Sequence, residues 1–131
     1  MSTPSRPLSP HLGIYRRQYT MVLSILHRVS GLALSGALIV LTVLLLAVAS
    51  GPAAYDPLAA LIATPVGLAL AGVFIVCFWY HFCAGIRHLV FDTGHLLERR
   101  EARRSGLVLV LAVLVLSALT LLCVLRSQGL V

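Results

Sequence analysis

The sequence contains no lysine, and only four of its 131 residues are acidic. All ten of its basic residues are therefore arginines, and charged residues make up only 11% of the chain. A soluble globular domain ordinarily carries about 25% charged residues. The scarcity of charge therefore argues against a water-soluble domain and indicates a chain that lies mostly out of water.

Cysteine motifs are also missing. The three cysteines, Cys77, Cys83 and Cys123, form no C-x-x-C pair and no C-x-x-C-H motif. Their spacing therefore supports neither an iron–sulfur cluster held by this chain nor a covalently attached haem. All three lie in apolar sequence, and we interpret them as small buried thiols.

What the chain has instead is apolar sequence, since 60% of its residues are hydrophobic and its mean hydropathy is +1.01. The apolar residues are concentrated in three runs, at 29–49, 66–86 and 107–125. Each run is close to the ~20 residues that cross a ~30 Å hydrocarbon layer as a helix. Because lipid tolerates no unpaired backbone groups, each run must be helical. We therefore expect an all-α membrane protein whose three transmembrane helices cover 23–49, 65–91 and 107–126.

The arginines are distributed unevenly around these runs. Seven lie in the segments before the first expected helix (1–22) and between the second and the third (92–106): Arg6, Arg16, Arg17, Arg99, Arg100, Arg103 and Arg104. After the third run there is only Arg126. The positive-inside rule then places an N-terminal arm (1–22) and a loop (92–106) in the cytoplasm, and a loop (50–64) and a tail (127–131) in the periplasm. Topology thus explains the net charge of +6, and we expect the lipid bilayer, not nucleic acid, as the partner of these arginines.

The second run carries polar side chains that a membrane span does not need. On a helix, Gly85, His88 and Asp92 lie within about 40° of His81. Gly85 leaves a gap in this face over which a flat ligand could lie. An ionisable side chain at membrane depth is costly and is a candidate for function, and imidazole is an ordinary axial ligand of haem iron. We interpret this face as one wall of a haem pocket.

Only one of the two histidines of this face can bind a given iron. His81 and His88 lie about 10.5 Å apart along one side of the helix. We expect His81 to be one axial ligand, with the other coming from His27 or from a second subunit. His27 and His88, with Arg28 and Arg87 beside them, are better placed to bind the anionic haem propionates. The plainer alternative is that His81 is a neutral buried histidine hydrogen-bonded to a neighbouring helix.

A second polar stripe opens the first transmembrane helix. Ser24, Arg28, Gly31 and Ser35 share one helical face, with His27 beside Arg28. Arg28 could reach the lipid headgroups by extending its side chain, but this does not explain why Ser24 and His27 lie on the same polar stripe. A hydroxyl and a guanidinium one turn apart, close to the cytoplasmic surface, are donors of the kind that a quinone headgroup needs.

Three blocks of the chain resemble a known family. They cover 6–15, 24–31 and 81–92 and have the sequences RPLSPHLGIY, SILHRVSG and HFCAGIRHLVFD. In this order, and with three spans, they closely resemble the cytochrome b subunits of succinate dehydrogenase, the membrane anchors of succinate:quinone oxidoreductase. The third span matches only in its hydrophobicity.

The resemblance implies a haem b shared with a second membrane-anchor subunit, which would supply the iron ligand opposite His81. It also implies a ubiquinone site that includes Ser24 and Arg28 and is completed by the iron–sulfur subunit and the second anchor. His27, His88 and Asp92 match positions near the haem propionates or the quinone pocket. A flavoprotein subunit would pass electrons from succinate to the iron–sulfur clusters, so this chain would be a non-catalytic anchor. The absence of a transit peptide favours the bacterial inner membrane.

Other functions remain open at this point. The anchor of a fumarate reductase would run the same chemistry backwards with a low-potential quinol. A self-contained b-type cytochrome would need both haem ligands in this chain. A small transport or scaffold protein would use the same polar residues to line a proton path and would bind no haem.

Overall fold

The computed structural model describes residues 17–127, and this part of the chain is helical. Its four α-helices are α1 (Tyr19–Ser50), α2 (Pro52–Ile62), α3 (Pro65–Asp92) and α4 (Arg99–Ser127). No strand occurs in the described range. Helices α1, α3 and α4 are each long and apolar enough to cross a membrane. The expectation of an all-α protein with three candidate spans is therefore confirmed.

Proline and glycine residues set the helix boundaries between α1 and α3. Helix α1 ends before Gly51, whose φ of +100° is a conformation that glycine adopts at little cost. Pro52 and Pro65 open α2 and α3 at the first helical position, where no backbone N–H is needed. The hydroxyl of Thr64 caps α3 by accepting a hydrogen bond from the Gly67 amide at 3.1 Å.

Helix α2 differs from the loop that the sequence predicts at 50–64. The glycine and prolines of this segment indicate a break in helical structure, but Pro52 opens a helix, and Pro57 removes only one intrahelical hydrogen bond. The apolar side chains of Leu58 and Leu61 face Ile39 and Val40 of α1. Packing against α1 therefore offsets the cost of Pro57.

Helix α4 begins well before the third apolar run. Its first two turns contain the charged residues of 99–104, so the non-helical stretch after α3 is only 93–98. Arginine, glutamate and alanine are all good helix formers, and Glu101 lies in the first turn, where a negative charge is favoured. The helix therefore extends beyond the apolar run, and the expected cytoplasmic location of 92–106 stays a prediction.

Helix α3 packs against both α1 and α4. The buried contacts are few and are centred on Leu23, Ala84, Leu109 and Val113. Most of the large apolar side chains of the long helices are exposed, including Leu32 at 76%. Apolar area exposed on this scale indicates contact with lipid or with other membrane subunits.

Two side-chain hydrogen bonds tie α3 to its neighbours. The hydroxyl of Tyr80 donates to the carbonyl of Leu23 in α1 at 2.8 Å. The indole N–H of Trp79 donates to the hydroxyl of Thr120 in α4 at 2.9 Å. These bonds fix the register of α3 against both helices, which positions the polar residues described next.

The cysteines are free thiols, but they are not all buried. Cys77 and Cys83 are partly buried, whereas Cys123 is exposed. The interpretation of Cys123 as a buried thiol is therefore wrong for this chain alone, because Cys123 lies on a face of α4 that neither α1 nor α3 covers.

Candidate functional site: three histidines between α1 and α3

Three histidine rings meet where α1 packs against α3. The ring of His27 stacks on that of His81, with centroids 4.2 Å apart and an interplanar angle of 22°. The ring of His88 lies 5.0 Å from that of His27 at 35°. His27 thus lies between the two histidines of α3. These stacked rings do not converge on one point, and within 17–127 no group of three or more ligating side chains could hold a bare metal ion.

Two glycines allow this close approach. A Cβ atom at Gly31 of α1 would lie 2.8 Å from Cε1 of His81, and one at Gly85 of α3 would lie 3.8 Å from Nε2 of His27. Each imidazole therefore packs onto the glycine backbone of the opposite helix. At Gly31 there is no room for a larger residue unless the His81 ring moves.

The ring of His81 is held through one of its two nitrogens. Nδ1 lies 3.0 Å from the backbone carbonyl oxygen of His27 and 3.3 Å from the hydroxyl oxygen of Ser30. Ser30 donates its own proton to the same carbonyl at 2.8 Å, so its oxygen is left to accept. Both neighbours therefore favour a proton on Nδ1, which leaves the lone pair on Nε2.

The other nitrogen of His81, Nε2, has no hydrogen-bond partner among the described residues. An imidazole whose Nδ1–H is fixed by a carbonyl, and whose Nε2 is free, has the arrangement that histidine adopts when it binds a metal. The plainer alternative, a histidine that only bonds a neighbouring helix, accounts for Nδ1 but not for Nε2.

The gap at Gly85 is not open in this structure. The ring of His27 fills it, so the expectation that a flat ligand lies directly over Gly85 is wrong for this arrangement. The cause is the small size of Gly85 itself, which lets α1 approach and insert a side chain. A ligand at Gly85 needs the His27 ring to turn away.

Within residues 17–127, the ring of His27 also has a nitrogen that lacks a hydrogen-bond partner. Its Nε2 atom is buried and has no hydrogen-bond partner in the described part of the chain. A buried polar atom without a partner costs about 1–3 kcal/mol, and because this nitrogen faces Gly85, the ring gains if it turns outward to an acceptor such as a carboxylate. The donor set therefore fits a haem, with His81 free to bind iron and His27 lacking the partner that a propionate would provide.

His27 is poorly placed to be the iron ligand opposite His81. Two imidazoles that bind one iron must each point a ring nitrogen at it, from opposite sides. Here the two rings lie face to face, with centroids 4.2 Å apart and an interplanar angle of 22°, so their nitrogens do not point at a common site between them. Of the two sources considered for the opposite ligand, this geometry favours a second subunit.

The expected quinone residues lie outside the histidine cluster. Ser24 is half-buried, whereas Arg28 and Asp92 are exposed. Ser24 and Arg28 lie in the first three turns of α1, and Asp92 is the last residue of α3. None of the three forms a side-chain hydrogen bond to the rest of 17–127. Their polar atoms are therefore available to a ligand or a partner.

Arg87 does not accompany His88, and its expected place beside the propionates is wrong for this packing. One residue along a helix is a turn of 100°, which directs Arg87 toward α4. Its Nε donates to the hydroxyl of Ser105 at 2.9 Å and its Nη2 to the carbonyl of Ala102 at 3.0 Å. The guanidinium also lies 4.4 Å above the ring of Phe91.

Sequence reasoning missed Ser30. Its hydroxyl is buried and touches both the His27 carbonyl and His81. The available signal was a small hydroxyl residue three positions after a histidine inside an apolar run. That signal is weak, because serine often bonds the carbonyl of its own preceding turn.

The fold and the site together define a class: a helical protein with several membrane spans and an imidazole site between two of them. The sequence matches the family model described as succinate dehydrogenase/fumarate reductase transmembrane subunit over residues 2–120. The chain therefore belongs to that family. The resemblance of its three sequence blocks is confirmed, although the block at 6–15 lies outside the described residues.

Individual relatives agree with the family model. The chain is 35% identical over 118 residues to the succinate dehydrogenase cytochrome b556 subunit of Paracoccus denitrificans, covering 90% of this chain and 91% of the relative. It is 35% identical over 115 residues to the cytochrome b556 subunit of Rickettsia felis, covering 87% and 89%. It is 37% identical over 116 residues to the mitochondrial cytochrome b560 subunit of Mus musculus, covering 86% and 69%. Neither the self-contained cytochrome nor the transport or scaffold protein is favoured by these relatives.

Proposed function

We propose that this chain is a haem b-binding membrane-anchor subunit of succinate dehydrogenase. The observation that carries the proposal is the state of His81, an imidazole inside an apolar span with Nδ1 anchored and Nε2 free. The names of the relatives, which are cytochrome b subunits of succinate dehydrogenase, support the same cofactor and the same assembly.

In the proposed haem site, His81 would bind the iron through its free Nε2, and a second membrane-anchor subunit would supply the other ligand. His27 and His88 hold the propionates, and the exposed Arg28 adds a positive charge. The buried, unpartnered Nε2 of His27 supports this assignment. When bound, haem b supplies one-electron redox chemistry. The residues of this chain orient the ligand, neutralise the propionates and keep water away from the iron.

Ser24, Arg28 and Asp92 form this chain's share of the proposed ubiquinone site. The hydroxyl and the guanidinium donate hydrogen bonds to the quinone oxygens, and Asp92 places a carboxylate at the end of α3 where protons can arrive from water. The iron–sulfur subunit and the second anchor complete the site, and the flavoprotein subunit delivers electrons from succinate. In this proposal the chain is a non-catalytic anchor that does not form a complete active site by itself.

The proposed location is a bacterial inner membrane, with the N-terminus in the cytoplasm and the C-terminus in the periplasm. The placement of the arginines supports this orientation. The structure brings the start of α1, the end of α3 and the start of α4 to one end of the bundle, since His27 meets His88, and Arg87 meets Ala102. This arrangement supports placing Arg17 and the arginines of 99–104 at the same membrane surface.

The test is a visible spectrum of the intact complex, purified in a mild detergent with an inventory of its subunits. We expect His81→Ala to lose the reduced haem absorption, because the iron loses one axial ligand. His95→Ala is the matched control, since His95 lies in the loop after α3 and bonds only Thr93. An unchanged haem spectrum in His81→Ala would refute the ligand assignment, and a complex without flavoprotein would refute the assembly.

A further inference from the structure

A groove of about 590 Å³ runs between α3 and α4. On α3 it is lined by Cys83, Ile86 and Arg87. Successive residues of a helix are 100° apart, so these side chains occupy the side of α3 opposite His81 and Gly85. The groove is thus separate from the histidine cluster and from the residues proposed to bind haem or quinone.

The groove changes from apolar to charged along its length. Its deeper part is lined by aliphatic side chains of the third apolar run, Val108, Leu109 and Ala112, whereas its other end is lined by Glu101 and Arg104. From residue 104 to residue 112 the helix rises about 12 Å. The charged end therefore lies where α4 leaves its apolar run, and the rest extends into the span.

The charged end contains a buried cation without a matching anion. Arg87 is only 7% exposed, and its two hydrogen bonds go to a neutral hydroxyl and a backbone carbonyl. Arginine has five N–H donors, so three remain. Within residues 17–127 no carboxylate forms an ion pair with Arg87, although buried charges are ordinarily paired. With Arg104 and Glu101, the groove has two positive charges and one negative charge at this end.

We propose that this groove is a binding site for one anionic phospholipid of the surrounding bilayer. Its phosphate accepts hydrogen bonds from Arg87 and Arg104, and an acyl chain follows the aliphatic lining toward Ala112. Guanidinium groups suit phosphate because they can donate two parallel hydrogen bonds to it. Basic pockets between membrane helices are known sites for anionic lipid headgroups. The inference needs only that α3 and α4 span the membrane, so it stands apart from the haem and quinone proposals.

The experiment uses the intact complex, purified in a mild detergent and stripped of lipid. Phosphatidylglycerol or phosphatidylcholine is added back, and bound lipid is counted by native mass spectrometry. Arg104→Gln removes one cation from the groove. Arg100→Gln is the matched control, because Arg100 is also exposed on the first turns of α4 but does not line the groove.

We expect Arg104→Gln to weaken phosphatidylglycerol binding about fivefold, the effect of losing ~1 kcal/mol of attraction. Arg100→Gln should leave binding unchanged, and phosphatidylcholine should bind more weakly and respond to neither variant. Ala112→Phe, which fills the apolar part of the groove and keeps both arginines, should also reduce phosphatidylglycerol binding.

Four outcomes would overturn the proposal. Equal effects of Arg104→Gln and Arg100→Gln would mean a diffuse attraction to charge. Equal binding of the two lipids would remove the role of the anionic headgroup. Displacement of the lipid by millimolar inorganic phosphate would indicate a site for free anions. A cross-link from Val108 to another subunit would show that protein, not lipid, covers the groove.

Discussion

The two sides of α3 use polar residues in different ways. Toward α1, imidazole rings pack on glycines, and within 17–127 the Nε2 atoms of His81 and His27 are among the ring nitrogens that have no hydrogen-bond partner. Toward α4, the indole of Trp79 and the guanidinium of Arg87 donate to groups on the facing helix. Trp79 thus joins α3 to α4, and Arg87 does so with two of its five donors and leaves three for the proposed lipid, whereas the ring nitrogens toward α1 keep capacity for a haem. A polar residue in a membrane span indicates function only when its bonding capacity is left open.

The largest effect is expected when a bulky side chain fills the space between α1 and α3. Gly31→Leu places a side chain where a Cβ alone would approach Cε1 of His81 to 2.8 Å. We expect haem to be lost from the purified complex and the free energy of unfolding to fall by about 1–3 kcal/mol through overpacking. The measurements are haem per complex and thermal unfolding.

Gly36→Leu is the control for this substitution, because nothing lies within 4 Å of a Cβ atom at Gly36. It lies on the same helix and has the same change in volume, so it should retain haem. Equal haem loss in both variants would mean that the packing of His81 on Gly31 has no special role.

The next largest effect is expected for Arg28 of α1, whose side chain is exposed. Arg28→Leu should raise the KM for ubiquinone about 10- to 100-fold, because a hydrogen bond from a charged donor contributes about 1.5–3 kcal/mol. Succinate oxidation with a soluble dye should survive, since the dye does not need the quinone site. Arg126→Leu, an exposed arginine at the other end of the bundle, is the control. If quinone and dye activities fall together, the variant has failed to assemble and Arg28 has no specific role in binding.

A change on the α4 side should affect stability without affecting haem. Thr120→Val keeps the shape of the side chain but removes the acceptor for the indole N–H of Trp79. Leaving that donor unpaired should lower the free energy of unfolding by about 1–3 kcal/mol. The reduced haem spectrum should stay as it is in the unaltered complex. A shifted spectrum would show that the two sides of α3 are not independent.

The smallest expected effect comes from Ser30, which touches both the His27 carbonyl and Nδ1 of His81. Ser30→Ala should cost about 1 kcal/mol of stability and shift the midpoint potential of the haem, because the orientation of an iron ligand depends on the partners of its second nitrogen. Ser30→Thr, which keeps the hydroxyl, should restore the potential. Ser35→Ala, whose hydroxyl bonds only its own helix, should leave it unchanged.

Much of this arrangement could be predicted from the sequence. Long apolar runs specify membrane helices because backbone N–H and C=O groups in lipid must form hydrogen bonds with one another. The helical period then places His81 and His88 on the same face. Helix α2 could not be predicted with the same rules, because Pro52 and Pro57 have different effects at the start and in the interior of a helix. Whether the segment is helical depends on its packing against α1, which its own sequence does not specify.

The contacts between helices were harder to predict than the helices. The helical period assigns residues to faces, but it does not give the distance to the next helix. The period therefore predicts an open gap at Gly85, whereas in the structure the ring of His27 occupies it. Arg87 was grouped with its neighbour His88, although one step of 100° directs it to α4.

The central claim is that His81 supplies one of two iron ligands and that the other comes from outside this chain. The most direct measurement is the haem content and reduced spectrum of the His81→Gly complex, before and after addition of imidazole. We predict that the haem absorption is lost and that imidazole, which fits the vacated space, restores it, while His27→Gly keeps its iron ligands. An unaltered spectrum in His81→Gly without imidazole, or loss of a ligand in His27→Gly, would contradict the claim.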